Sequence, residues 1–196
     1  MQKVLLFLPK GFEELEATAL IDVLGWSRAH GTNPVTLHTA GLHNEITSAW
    51  GSRVIPTLPF SQTDADSYDA MAIPGGFEAA GYYEDAFDES VLETIREFNR
   101  QGKPIASVCV GALPLGRAGI LKNRPATTYA LPHGERRQQL AAYGAIVQDV
   151  PLVIDQHIIT SEGPATAIDV AFSLLGMLTN EENVQMVKKI MRVGRG

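Results

Sequence analysis

Residues 103–116 read KPIASVCVGALPLG and contain Cys109, the only cysteine of the chain. The apolar run 104–109 is typical of a buried strand, and residues 110–119 are typical of a helix, which tolerates Pro114 near its first turn. The segment therefore predicts a strand that turns directly into a helix and places the thiol at the turn. Such strand–helix units alternate in α/β folds, so this stretch decides the fold class.

The same form recurs along the chain, where apolar runs alternate with helical stretches. We expect strands at 3–9, 34–40, 68–76, 104–109 and 157–164, and helices at 12–29, 89–102, 110–119, 135–145 and 165–180. This alternation predicts an α/β fold with a mostly parallel sheet and helices on both faces. Residues 46–60 break the rhythm with short β-like pieces and prolines, which suggests an antiparallel excursion at the sheet edge.

Length and composition favour one ordinary globular domain over residues 1–196. The chain has 196 residues, of which 45% are hydrophobic and 19% charged, and single domains commonly reach this size. The formal net charge is −6, so we expect no nucleic-acid partner.

The cysteine count and the two ends of the chain indicate the cellular compartment in which the protein is expected. A lone cysteine cannot form an intrachain disulfide, which favours a reducing cytoplasm. The apolar run at residues 4–8 is short for a signal peptide and far too short for a membrane span, so we expect no membrane partner. The closing stretch KKIMRVGRG (188–196) is expected to be a solvated, frayed tail.

Two interpretations of Cys109 remain open from the residues alone. Ser107 and Gly111 put small residues two positions before and after it, as in a nucleophile elbow, whose sharp turn exposes the reactive atom. The partial positive charge of the helix N-terminus would then lower the pKa of the thiol. Unpaired cysteine, however, is among the most buried residue types and usually behaves as a small hydrophobe.

The first helix carries three carboxylates near its start, in KGFEELEATALIDVL (10–24). Acidic residues at this position suit the helix dipole, which accounts for Glu13 and Glu14. At about 100° per residue, Glu16 instead shares the apolar face with residues such as Leu20. A carboxylate there must be paired, hydrogen-bonded or protonated, and a pKa raised by burial suits a general acid or base.

A third unusual strand end reads IPGG (73–76). Two glycines at a strand end are by themselves most often a plain turn. They can also let backbone amides approach a ligand closely and stabilise developing negative charge. Because the carboxyl ends of parallel strands meet at one edge of a sheet, this turn, Cys109 and Glu16 are expected to assemble one site.

Four motifs in this order, KGFEELE, AIPGG, ASVCVGA and TSEGPATAIDVA, resemble those of the ThiJ/PfpI superfamily and its DJ-one-like branch, and the resemblance covers nearly the whole chain. It implies one domain of the class I glutamine amidotransferase-like type, a flavodoxin-like three-layer sandwich and a homodimer. It also implies that Cys109 is paired with Glu16, and that Gly75, Gly76 and the amide of Val110 form an oxyanion-type pocket.

Two departures from the superfamily's pattern bear on function. The protease-like branch places histidine directly after its cysteine, whereas Val110 stands there in this chain, so peptidase activity is disfavoured. In the DJ-one-like branch a histidine often follows a Thr-Thr pair, and here that place belongs to Tyr129; Tyr129 and His133 are therefore auxiliary site candidates. The remaining histidines have no metal-ligand spacing or evident carboxylate partner, and we expect no metal: His30, His38, His43 and His157.

The resemblance implies two functions of different classes. As an enzyme of glyoxalase or deglycase type, the chain would add the Cys109 thiolate to a small 2-oxoaldehyde such as methylglyoxal, with Glu16 moving a proton between adjacent carbons and without a cofactor. As a non-enzymatic oxidative-stress sensor or chaperone-like protein, it would be switched when an oxidant modifies Cys109. The motifs do not distinguish these functions. Glutamine amidotransfer is disfavoured because residues 133–135, His-Gly-Glu, lie too near the elbow to supply its usual downstream partners.

Overall fold

The computed structural model describes residues 1–130 and 134–194, and within them it contains eleven strands and seven α-helices. The strands are β1 (Gln2–Phe7), β2 (Val35–Gly41), β3 (Ile46–Thr47), β4 (Arg53–Val54), β5 (Leu58–Pro59), β6 (Ala70–Ile73), β7 (Ile105–Ser107), β8 (Pro125–Ala126), β9 (Ile146–Val147), β10 (Leu152–Asp155) and β11 (Ile158–Ser161). The helices are α1 (Glu14–His30), α2 (Tyr82–Ala86), α3 (Glu89–Arg100), α4 (Ala112–Arg117), α5 (Glu135–Ala142), α6 (Ala167–Leu178) and α7 (Glu181–Met191).

Seven of the strands form the central sheet, in the spatial order β10-β11-β7-β6-β1-β2-β5. Neighbouring strands run parallel except at one edge, where β10 pairs with β11 in the antiparallel sense. Residues 4–8 at the centre of the sheet have no exposed surface. A strand covered on both faces can be apolar at every position, which is why these runs are continuous rather than alternating. The predicted α/β class and mostly parallel sheet are confirmed.

Two groups of helices flank the sheet. Helices α1, α6 and α7 pack against one another, and α6 also contacts β7 and β11. In the second group α3 packs on β6 and β7 and contacts α2 and α4, and α4 in turn contacts α5. No helix in the described ranges is long and apolar enough to cross a bilayer.

The irregular segment 46–60 folds only partly as its sequence suggests. Strands β3 and β4 form a separate antiparallel pair, and β5 adds to the sheet edge beside β2. The differences are that β5 runs parallel to β2 and that the hairpin does not join the central sheet. The hairpin lies outside the central sheet, and its turn contributes Trp50 to the site at the carboxyl ends of the strands.

The sequence did not predict some of the elements, chiefly α2, β10 and α7. The prediction of a frayed tail at 188–196 is wrong for its first part, because α7 continues to Met191. Two apolar residues of α7, Val184 and Val187, are buried, and the Asn183 amide donates to the Ser27 hydroxyl at 3.2 Å. This packing against α1 holds residues 181–191 in a helix.

Candidate active site

Cys109 lies at the turn between β7 and α4, as predicted. Its φ of +56° is in the left-handed region, which residues other than glycine rarely adopt. The amide of Val108 donates to the carbonyl of Ile73 at 3.2 Å, and the hydroxyl of Thr128 donates to the carbonyl of Cys109 at 2.8 Å. A Cβ at Gly111 would lie 2.7 Å from the same Ile73 oxygen, so the close approach of the turn to β6 requires glycine there.

Glu16 lies on the buried face of α1, as the helical phase predicts, and has no exposed surface. The carboxylate of Glu13 caps the helix by accepting the amide of Glu16 at 3.1 Å, and the amide of Glu13 donates to the carbonyl of Gly75 at 2.9 Å. These bonds fix the first turn of α1 against the end of β6. Oε2 of Glu16 accepts the amide of Gly75 at 2.5 Å, while Oε1 has no nitrogen or oxygen partner among the described residues.

Gly75 is the point at which Cys109 and Glu16 meet. A Cβ at this position would lie 2.8 Å from both the Cβ of Cys109 and Oε2 of Glu16, and 3.0 Å from the amide nitrogen of Val110. Packed atoms do not tolerate such short contacts without moving apart. The thiol-bearing residue and the carboxyl group can therefore flank one backbone atom only because no side chain stands between them.

The amides of the predicted oxyanion-type pocket have different partners. That of Gly75 donates to Glu16 and is not free to stabilise charge on a ligand, which corrects the role predicted for it. The amide of Val110 donates toward the sulfur of Cys109, an interaction that lowers the pKa of the thiol. The amide of Gly76 makes no hydrogen bond within the described part of the chain, and Gly76 lines the cavity beside the thiol.

Burial governs the ionisation of Glu16 and Cys109. It raises the pKa of Glu16 from 4.5 to about 8, with a smaller contribution from the charge of Glu13, and the Gly75 amide opposes the rise. Burial, and next the charge of Glu16, raise the pKa of Cys109 well above its ordinary value, which the Val110 amide only partly offsets. The expected lowering of the thiol pKa is therefore wrong, since Cys109 is only 8% exposed. Near neutral pH both groups largely keep their protons.

Cys109 and Glu16 face a cavity of about 230 Å³. Gly76, Val110 and Tyr129, which the sequence analysis names, also line it. Seven other residues from six parts of the chain complete the lining. They are Glu13 at the start of α1, Trp50 in the β3–β4 turn, Phe77 and Glu78 after β6, Tyr83 in α2, Arg136 in α5 and Pro164 in the glycine-proline turn after β11. Glu13 and Pro164 belong to the motifs KGFEELE and TSEGPATAIDVA, although no site role was predicted for them. The other five belong to none of the four motifs and meet only through the fold.

The charged residues around the cavity are mostly acidic. Arg136 is the one cation among the described lining residues, and its guanidinium donates to Oε2 of Glu78 at 2.6 Å. The same guanidinium lies over the ring of Tyr83, 5.1 Å from its centroid. Arg136 is therefore already engaged on two sides, and Glu13 adds a further carboxylate to the wall.

The prediction that the histidines have no carboxylate partner is wrong for one of them. His133 lies outside the described residues. His43 has a carboxylate partner that the sequence did not reveal, because its Nε2 lies 3.0 Å from Oδ1 of Asp85, a buried residue that also accepts the amide of Lys10. This pair ties the loop after β2 to α2. Within residues 1–130 and 134–194 no group of three histidine, cysteine or acidic side chains could hold a metal ion.

The chain is similar to proteins of one family. The model of the DJ-1/PfpI family matches residues 2–177. The chain is 28% identical over 192 residues to Protein dj-1beta of Drosophila melanogaster, which covers 96% of this chain and 95% of that protein. It is 33% identical over 143 residues to Isonitrile hydratase of Pseudomonas putida, and the matched region covers 73% of this chain and 59% of that protein.

Solved structures agree with the fold. The crystal structure of Drosophila melanogaster DJ-1beta superposes with a TM-score of 0.86 at 25% identity, covering 99% of both chains. Schizosaccharomyces pombe DJ-1 superposes with a TM-score of 0.81 at 24% identity, covering 99% of this chain and 100% of that chain. Both have the same fold along nearly their whole length.

Proposed function

The chain belongs to the DJ-1/PfpI family, and we propose that it converts small 2-oxoaldehydes into 2-hydroxy acids through Cys109 and Glu16. The main support is the pairing of a thiol with a carboxyl group whose pKa is about 8, both facing one cavity. A general acid or base works best when its pKa lies near the operating pH, because it can then both give and take a proton.

The reaction needs no external oxidant or reductant. The sulfur of Cys109 adds to the aldehyde carbon, and the thiol proton ends on the aldehyde oxygen, which gives a hemithioacetal. A proton then leaves that carbon and another is delivered to the neighbouring carbonyl carbon, so that the first carbon is oxidised to a thioester and the second is reduced to an alcohol. Water cleaves the thioester, releases the 2-hydroxy acid and restores the thiol.

The surroundings of Glu16 support its proposed role in moving these protons. Its Oε1 is buried without an oxygen or nitrogen partner in the described chain, while Oε2 is held by the Gly75 amide. Only Oε1 is therefore available to exchange a proton with the thiol or with a bound aldehyde. The amide of Gly76 is the proposed donor to the substrate oxygen, and the amide of Val110 can join it only once the sulfur has bound carbon and no longer accepts that amide. Tyr129 stands at the cavity wall as an auxiliary hydrogen-bond donor.

Oxidation sensing is the second candidate function. A Cys109 sulfinate could accept a hydrogen bond from protonated Glu16, since Oε1 has no other oxygen or nitrogen partner among the described residues. The raised pKa of the thiol weighs against it, because the thiolate is the form that reacts with peroxide. The raised pKa weighs on the enzymatic function too, because the thiolate is also the nucleophile toward an aldehyde.

The experiment is product analysis by NMR with methylglyoxal and no added thiol. We expect lactate, no lactate above the uncatalysed rate with Cys109→Ser, and a loss of about 10²–10⁴-fold with Glu16→Gln. Glu182→Gln, on the exposed side of α7, is the matched control and should retain the wild-type rate. Wild-type protein that forms no lactate would contradict the proposal for this substrate.

An isonitrile should be included as a second electrophile, because one relative is named Isonitrile hydratase. Hydration of the isonitrile, together with no turnover of methylglyoxal, would move the proposal to that reaction. Oxidation of Cys109 by limited peroxide at neutral pH, with no turnover of either compound, would favour the sensor instead.

We further propose a homodimer. Three exposed apolar side chains, Leu15, Ile21 and Ile168, line one groove between α1, α6 and α7. Covering them would remove apolar surface from water. Sedimentation velocity should give twice the chain mass, and Ile21→Lys should give monomers; a wild-type monomer at micromolar concentration would contradict the dimer.

A further inference from the structure

The outer half of the cavity is aromatic, and the proposed chemistry does not use it. Trp50 comes from the β3–β4 turn, Phe77 from the segment after β6, and Tyr83 from α2. Trp50 is 68% exposed and Phe77 is 45% exposed, and their ring centroids lie 5.0 Å apart. Two large aromatic side chains thus stand together in water at the mouth of the cavity.

The indole is held at the mouth by hydrogen bonds. The backbone amide of Trp50 donates to Oε1 of Glu14 at 3.3 Å, and its Nε1 donates to Oε1 of Glu13 at 3.3 Å. The hydroxyl of Ser48 donates to the same Oε1 of Glu14 at 2.5 Å, and the amide of Ala49 donates to the carbonyl of Phe12 at 2.8 Å. The first residues of α1 therefore position both the carboxyl group of the site and the aromatic ring above it.

The cavity is larger than methylglyoxal requires. A cavity of about 150 Å³ in another protein holds one benzene molecule, and this one measures about 230 Å³. It therefore has room for a phenyl ring together with a two-carbon dicarbonyl group. Methylglyoxal, with about half the non-hydrogen atoms of phenylglyoxal, would leave the aromatic mouth filled with water.

The charges of the wall select against ionic substituents. Among the described lining residues, the carboxylates of Glu13 and Glu78 face one cation, Arg136, so a carboxylate on the substrate would meet net repulsion. A cation would find the face of Tyr83 already covered by Arg136, whose guanidinium also pairs with Glu78. A neutral apolar ring suits the exposed faces of Trp50 and Phe77 best.

We propose that this site takes 2-oxoaldehydes with an aromatic substituent, of which phenylglyoxal is the simplest, in preference to methylglyoxal, and that Trp50 and Phe77 determine this specificity. The proposal rests on the function proposed above, and the atoms balance in the same way: phenylglyoxal and water give mandelate. The aldehyde reaches Cys109 while the ring packs against the exposed faces of the two aromatic side chains.

The test compares kcat/KM for phenylglyoxal and methylglyoxal in short assays at low aldehyde concentration. We expect wild type to prefer phenylglyoxal, and Trp50→Ala and Phe77→Ala each to lower its kcat/KM about tenfold while changing that of methylglyoxal less than about threefold. Trp26→Ala is the matched control, since Trp26 is a partly exposed tryptophan near the other end of α1. A wild-type preference for methylglyoxal, or a ratio that neither substitution changes, would overturn the proposal.

A binding measurement separates this inference from the proposed function. The chain has two tryptophans, so a nitrogen-15 NMR spectrum has two indole signals and the second serves as an internal control. Titration with 2-hydroxyacetophenone, a neutral aryl ketone without an aldehyde, should shift the Trp50 signal and leave that of Trp26 unchanged. Hydroxyacetone at the same concentration should have little effect.

The two measurements fail independently. No turnover of either aldehyde refutes the proposed function, yet a selective shift of Trp50 would still establish an aryl-carbonyl site at the mouth. Turnover of methylglyoxal without any shift of Trp50 by the aryl ketone leaves the function standing and overturns the aryl specificity. A shift of Trp50 by tetramethylammonium but not by the ketone would also overturn it, in favour of a cation site.

Discussion

Replacing Glu16 with glutamine removes an ionisable group that the fold keeps neutral, and it leaves the shape of the side chain nearly unchanged. The glutamine oxygen can accept the amide of Gly75, as Oε2 does at 2.5 Å. Its NH₂ group takes the place of Oε1, which lacks an oxygen or nitrogen partner in the described chain. Any cost of burying that amide group is independent of pH, so the pH dependence isolates the ionisation of Glu16.

The size of the effect follows from the pKa. Burial raises the pKa of Glu16 from 4.5 to about 8, and one pKa unit corresponds to about 1.4 kcal/mol, so ionising this group costs the folded state about 5 kcal/mol more than the unfolded state. The folded state binds the extra proton between these two values. The contribution of Glu16 to stability is therefore greatest below about pH 4.5, falls as the pH rises and levels off above about pH 8.

Urea unfolding at a series of pH values measures this contribution. Between about pH 5 and about pH 8, the free energy of unfolding of the wild type should fall by about 3 to 4 kcal/mol relative to that of Glu16→Gln. Glu182→Gln, which changes an exposed glutamate of α7, should follow the wild type at every pH. A difference between wild type and Glu16→Gln that stays constant across this range would refute the raised pKa and, with it, the neutral carboxyl group at rest.

Three further predictions concern the thiol and its supports. Glu16→Gln should lower the pKa of Cys109, because the charge of Glu16 is the second cause of its rise, and the pH dependence of alkylation by iodoacetamide measures the shift; an unchanged or higher pKa would contradict it. Gly75→Ala should abolish turnover and destabilise the fold, since its Cβ would lie 2.8 Å from atoms of both Cys109 and Glu16. Its control is Gly25→Ala, in an exposed part of α1 with nothing within 4 Å, which should stabilise the fold by up to about 1 kcal/mol in thermal unfolding. A folded and active Gly75→Ala protein would show that Cys109 and Glu16 are less closely packed. Thr128→Val removes the donor to the Cys109 carbonyl at 2.8 Å and should cost about 1 kcal/mol or more in unfolding free energy, and no loss would mean that the turn does not depend on this bond.

Much of the fold could be predicted because each of its units is local. The apolar run 104–109 and the helical stretch after it specify one strand–turn–helix unit, and the phase of α1 alone puts Glu16 on the buried face. The cavity wall could not be predicted in this way. Trp50 and Arg136 belong to a hairpin turn and to a helix far apart in sequence, and they face the same space only because both elements extend over the carboxyl edge of the sheet.

The pKa of Cys109 was mispredicted for a related reason. A helix N-terminus lowers a thiol pKa through free amides near the sulfur, but here the backbone forms a 3₁₀ turn at Cys109 and the amide of Val110 is the backbone donor that lowers it. Burial and Glu16 act in the opposite direction, and both depend on how deeply α1 packs against the end of β6, which no local motif encodes. A pair that keeps both protons at rest is suited to a neutral aldehyde, because the thiol proton passes to the aldehyde oxygen as the carbon–sulfur bond forms and no net charge is left in the cavity. The thiolate is the form that reacts with peroxide, so the burial that raises the pKa of Cys109 should also slow oxidation of this sulfur.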